Sequence, residues 1–139
     1  MSSETTTVIV TDRGFAAPDP AESFVPVAEI GEGTGPIRID LAADADPAAV
    51  APHFARTVVI RIPFHSFADG RGLTLARELR RLGFRGRIRA AGHLISDQWP
   101  LARACGIDEA EIAAVQADRQ PAPGWQARKG RIGYLDLLR

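Results

Sequence analysis

An α/β fold is expected for this chain, in the order βαβαβαβ, either as an open parallel sheet or as half of a (β/α) barrel. Three observations predict it. Residues 57–64, T-V-V-I-R-I-P-F, are apolar almost without interruption, which suits a strand covered on both faces. Residues 73–82 place Leu75, Ala76, Leu79 and Leu82 in one apolar stripe at helical spacing. The strand-like segments are separated by connections long enough for crossovers, and such crossovers favour parallel strands joined with the right-handed sense. A length of 139 residues suits one domain with its own core. We divide it into an N-terminal hairpin or arm (1–35), an α/β core (36–115), and a linker with a tail (116–139).

The elements follow in order. T-T-T-V-I-V-T (5–11) is β-branched and reads as a strand. Asp12-Arg13-Gly14 is a turn signal. S-F-V-P-V-A-E-I (23–30) is its expected hairpin partner, restricted to an edge by Pro26. I-R-I-D-L (37–41) alternates as a strand. Asp46 then caps a short helix with Pro47 in its first position, and Pro52 interrupts that helix. After strand 57–64, the helix over 73–82 stops at Gly83. G-R-I-R-A-A-G (86–92) is a short strand. Asp97 to Cys105 is a second helix, with Asp97 as N-cap, Pro100 in its first turn and Gly106 after it. D-E-A-E-I-A-A (108–114) is a fourth core strand. P-A-P-G (121–124) reads as a linker to the apolar tail R-I-G-Y-L-D-L-L-R.

Charge and cysteine usage exclude several function classes. The formal net charge is zero, which argues against bulk binding to nucleic acid or to an anionic membrane. One cysteine, Cys105, forms neither an internal disulfide nor a Cys-x-x-Cys pair, and it is expected as a small buried apolar side chain. The first residues lack the basic and apolar regions of a signal peptide, so a cytoplasmic location is expected. The signs are unevenly spread, however. Arg77, Arg80, Arg81, Arg85, Arg87 and Arg89 stand against Glu78 alone within residues 77–89. That run is the solvated face of a helix and an exposed strand, or a docking patch for an acidic partner.

Ligands of parallel α/β folds bind beyond the carboxyl ends of the strands. Asp40, His65, Asp69, Arg71, His93 and Asp97 are expected on that rim. In F-A-D-G-R-G (67–72), Gly70 and Gly72 permit positive φ, and the helix start directs N–H groups at the loop. Arg71 would then clamp an oxyanion, or pair structurally with Asp69 or Asp97. Phe67 is expected to anchor the loop. Asp97-Gln98 is an N-cap and its neighbour. His65 and His93 are possible acid–base groups or ordinary hydrogen-bonded histidines, and no third ligand at metal spacing accompanies them. His53 has no special claim. No redox or nucleotide motif is present, and no cofactor is expected.

Taken as a series, these motifs closely resemble the bacterial domain-of-unknown-function family 934. The series is F-x-D-G-R-G at 67–72, an Ala76-Arg77 helix with Leu79-Arg80-Arg81, G-x-x-R-A-x-G at 86–92, Asp97-Gln98, and R-x-C-G-x-D at 103–108. His93 and Trp99-Pro100 depart from the family's usual residues. Members are labelled probable oxidoreductases of sulfite reduction, and their genes tend to lie beside those for a sirohaem sulfite or nitrite reductase and for adenylylsulfate reduction. The resemblance implies an accessory protein of assimilatory sulfate reduction, docking with sulfite reductase or another sulfur-assimilation protein. It carries over no catalytic residues. A small enzyme or anion binder built on Asp69, Arg71 and Asp97 is the alternative. Open sheet edges point to a homodimer.

Overall fold

The computed structural model describes residues 7–64, 70–92 and 98–114. Its centre is one seven-stranded sheet in the order β2-β1-β7-β6-β5-β4-β3. The strands are β1 (Thr7–Thr11), β2 (Gly14–Ala16), β3 (Val25–Pro26), β4 (Ile37–Asp40), β5 (Thr57–Phe64), β6 (Arg87–Gly92) and β7 (Glu109–Ala113). Neighbours from β3 to β7 pair in parallel. β1 runs antiparallel to both β7 and β2. The sheet is open, and the expected βαβαβαβ order holds from β4 to β7.

Two α-helices join the later strands, α1 (Arg71–Arg81) and α2 (Trp99–Ala104). Each ends as its glycine requires. Gly83 and Gly106 take φ of +105° and +101°. These left-handed turns let Phe84 N–H reach Leu79 O (3.0 Å) and Ile107 N–H reach Ala102 O (3.0 Å), closing the helix ends. The connection from β4 to β5 is 3-10 rather than α-helical. Asp46 caps it by accepting from Ala48 N–H at 3.0 Å, with Pro47 at the first position. Pro52, which has no N–H to donate, sits near the start of its second stretch, Ala51–Arg56.

Alternation along the strands separates two chemically opposite faces. Val10, Ile39, Ile60, Ile62, Ile88, Ala90, Ala110 and Ile112 point one way and form a single core with Leu75 and Leu79 of α1 and with Trp99 and Ala102 of α2. Cys105 is buried, as expected. The intervening residues point away from both helices. One row across this second face reads Asp40, Arg61, Arg89, Glu109 in direct register. Strand β5 is therefore not apolar on both sides. Its buried residues are Thr57, Val59, Ile60, Ile62 and Phe64, and Arg61 interrupts them on the charged side.

The N-terminal part differs from expectation. β1 and β2 form the hairpin, turning at Asp12-Arg13, but residues 23–30 do not pair with β1. Its second edge belongs to β7. Val25–Pro26 instead joins the opposite edge of the sheet beside β4, and residues 27–29 form a 3-10 turn. The proline explains the location, because a strand lacking an N–H is tolerated only at an edge. Residues 17–24 consequently strap across the charged face, from the β2 edge to the β3 edge.

Candidate functional site

Of the stretch 67–72, residues 70–72 are among the described residues. Phe67, Asp69, Asp97, His65 and His93 lie outside the described residues, as do the linker and tail. Gly70 occupies the cap position of α1 in a right-handed helical conformation (φ −81°, ψ −10°). Neither Gly70 nor Gly72 has positive φ, so the expected left-handed turn is absent at both. Gly72 serves a different need. A Cβ there would stand 2.6 Å from Phe64 Cζ, so glycine lets the first turn of α1 lie on the end of β5. Gly70 meets no such contact.

Arg71 opens α1 and is exposed. It lines a cleft of 520 Å³ with Ala43, Asp44, Pro47, Thr74 and Glu78. On that wall the Arg81 guanidinium, bonded to Glu78, holds the Glu78 carboxyl below its ordinary range. Gln98 occupies the cap position of the short helix α2, and Pro100 stands in its first turn. Among the described residues, no group of three His, Cys, Asp or Glu side chains could hold a metal ion.

The densest constellation of charge lies elsewhere, on the sheet face away from the helices. Arg61 bonds both oxygens of Asp40, at 2.6 and 2.9 Å, and reaches Glu111 at 3.2 Å. Its guanidinium also stacks 3.9 Å above the ring of Phe24 in the strap. The Asp40 bond is the main cause that raises the Arg61 pKa above its ordinary value. Arg89, 3% exposed, bonds Glu109 at 2.6 Å, Glu111 at 3.2 Å and Glu22 of the strap at 3.2 Å. Burial works to lower the Arg89 pKa. The bond and charge of Glu109, then Glu22 and Glu111, outweigh it and leave the pKa raised. Arg87 adds a 3.2 Å bond to Glu109.

Arg80 and Arg89 thus leave the solvated arginine face expected for 77–89. Arg80 turns under the carboxyl end of α1. It donates to Phe84 O (3.0 Å), Gly86 O (2.8 Å) and Gly106 O (2.8 and 3.1 Å), and to the Asp108 carboxylate (2.6 Å). Arg103 works similarly, donating to Ile107 O at 2.7 Å and to Asp12 at 3.1 Å. Arg77, Arg81, Arg85 and Arg87 stay exposed. They line two clefts of 630 and 430 Å³ that share Arg80 and Gly106, one at the amino ends of β5 and β6 and one between α1 and α2.

Sequence reasoning missed the charged face, although a signal for it existed. R-I-D in β4, R-I-R in β6 and E-A-E in β7 are period-two charge patterns of complementary sign. No described helix is long and apolar enough to cross a membrane. No curated protein and no solved structure matches the chain. The family model described as bacterial protein of unknown function matches residues 38–128, from β4 through the whole α/β core and beyond it. The chain therefore belongs to that family, DUF934.

Proposed function

We propose that this protein is an accessory, docking component of assimilatory sulfate and sulfite reduction, without a redox centre of its own. The observation that supports it best is the exposed set Arg77, Arg81, Arg85 and Arg87 around two adjoining clefts. A cationic, concave surface of this kind steers and orients an acidic partner. The inward-turned guanidiniums of Arg61, Arg80 and Arg89 are committed to structural ion pairs and carbonyls, and Arg81 and Arg87 pair with Glu78 and Glu109 at the surface, which leaves recognition chiefly to Arg77 and Arg85. The sulfur-assimilation setting rests on the family resemblance, and a sirohaem sulfite reductase is the expected partner.

Affinity capture from the native host is expected to recover sulfite reductase with the wild-type chain. The double reversal Arg77→Glu, Arg85→Glu should abolish capture and slow growth on sulfate as sole sulfur source. Recovery of no sulfur-assimilation protein by the wild type overturns the assignment. A second reading, a small enzyme or anion binder, is favoured by the 520 Å³ cleft beside Arg71. It predicts the reverse pattern in the same assay: growth lost with Arg71→Ala, and retained with the double reversal.

The same proposal takes the protein as a cytoplasmic homodimer. Both sheet edges are short, three residues in β2 and two in β3, and among the described residues neither is covered by a further strand. Light scattering at micromolar concentration is expected to give twice the chain mass. A single-chain mass would remove the dimer from the proposal.

A further inference from the structure

The strap and the sheet face beneath it hold a charge arrangement that shares only Arg87 with the docking surface. Four guanidiniums stand on the sheet: Arg38, Arg61, Arg87 and Arg89. Three carboxylates stand there with them: Asp40, Glu109 and Glu111. The fourth carboxylate, Glu22, arrives from the strap and completes the balance. Among the described residues and outside the strand ladders, residues 17–23 make one backbone–backbone hydrogen bond, Glu22 N–H to Asp19 O at 3.1 Å, and Ala21 N–H donates to Asp19 Oδ1 at 2.9 Å, both within the strap itself. The strap is therefore held down by side chains, chiefly Glu22 among the arginines and Phe24 beneath Arg61.

Glu22 fits its arginines poorly. The sheet's own pairs are short, 2.6 Å for Arg61–Asp40 and for Arg89–Glu109. Around Glu22 the distances are 3.2 and 3.3 Å from Arg89, 3.7 Å from Arg38 Nε and 3.9 Å from Arg87. Charge-assisted bonds of this type ordinarily close to about 2.7–2.9 Å. Arg38 Nε is buried and lacks a hydrogen-bond acceptor, although Glu22 is the carboxylate it faces. Three guanidiniums thus converge on a position that one planar carboxylate underfills. A cavity of 240 Å³ lies alongside, lined by Asp19, Glu22, Phe24, Arg61, Arg89 and Glu111 among others, with Arg38 and Arg87 outside its lining.

We propose that this position is a binding site for a tetrahedral oxyanion of the sulfate or phosphate class, and that Glu22 is its internal occupant. An anion with oxygens in four directions meets Arg38, Arg87 and Arg89 together, where a planar group meets only Arg89 well. Its entry expels the Glu22 carboxylate and releases the strap from the sheet. The ligand site and the strap are in this way one two-state device, with the anion binding only the state in which the strap is lifted.

The test uses the full chain and two variants, Glu22→Ala and Glu22→Gln, with thermal midpoints followed in sodium sulfate, phosphate and acetate against chloride at equal ionic strength. Sulfate, phosphate or both are expected to raise the midpoint of the Glu22 variants at concentrations about tenfold below those needed for wild type, because the internal competitor is gone. Which ion acts at lower concentration distinguishes the two sources. Adding Arg38→Met to either Glu22 variant should remove the response. In wild type, the better ion should speed amide hydrogen exchange within residues 17–24. If Glu22→Ala does not fold, Glu22→Gln keeps the shape and removes the charge. A response to acetate alone, or an unchanged response in the Arg38→Met double variants, overturns the assignment.

Discussion

Replacing Arg89 by alanine is expected to destabilise the protein by about 3–5 kcal/mol, the range for breaking a buried charge network by removing one partner. Arg89 is 3% exposed, and it meets Glu109, Glu111 and Glu22 in the middle of the sheet. Its loss strands Glu109, itself 5% exposed at the side chain, without its shortest partner. The double variant Arg89→Met, Glu109→Leu should recover more than half of the loss, because it removes both charges and fills the space with apolar atoms. Urea denaturation of the two singles and the double measures this cycle. Equal destabilisation by the single and the double would mean that packing around β6, rather than charge, carries the effect. Arg89→Lys should rescue little, since one ammonium cannot serve three separated carboxylates in the fork geometry that guanidinium provides.

The second large effect is expected at Arg80. Truncation to alanine removes five hydrogen bonds at once, takes this donor from the carbonyls of Phe84, Gly86 and Gly106, and leaves the Asp108 carboxylate to Ile88 N–H and the more distant Arg103. Each charge-assisted bond has a net worth of about 1.5–3 kcal/mol in isolation, but they are not additive. The side chain is 27% exposed, so water replaces some of them. A loss of about 2–4 kcal/mol is therefore expected for Arg80→Ala. Arg81→Ala, one residue along and paired among the described residues with solvent-exposed Glu78, should leave the urea midpoint unchanged. If the two variants melt together, the Arg80 clamp is not what ties α1 to the turn before β7. Gly106 completes the clamp. A Cβ at that position would stand 2.6 Å from Arg80 Cγ, so the glycine both ends α2 and admits the arginine stem.

The motif at 67–72 shows how local pattern and local geometry part company. Two glycines around an arginine read as a turn with positive φ, an anion cradle or a tight structural corner, because glycine is the residue that reaches positive φ without cost. Gly70 is instead an ordinary helix cap, and Gly72 is required by the ring of Phe64, a neighbour on the preceding strand. Nothing in the six residues themselves separates these two uses. The separation comes from how closely α1 approaches β5. The run of six arginines posed the same difficulty. Helical spacing places Arg77 and Arg81 outward correctly, but Arg80 is drawn inward by carbonyls 4, 6 and 26 residues away.

What the sequence determined by itself is the material that depends on short-range rules. The strands from β4 to β7, the Leu75, Ala76 and Leu79 stripe of α1 (Leu82, expected in it, is exposed), the glycine stops at Gly83 and Gly106, the cap at Asp46 and the buried Cys105 follow from side-chain periodicity, backbone propensity and turn chemistry within a few residues. The ordered motifs were specific enough to indicate the family. Only the tertiary structure decided where the N-terminal segments go and which charges meet. Residues 25–26 and the β1–β2 hairpin occupy opposite edges of one sheet, so the strap between them crosses the face that the helices leave bare. The physical reason is that a period-two pattern states which residues share a face but not what will cover it. Arg61, Arg89, Glu22 and Glu111 lie between 22 and 89 residues apart in sequence. Their pairing exists only after strand order and register have brought them within hydrogen-bonding distance.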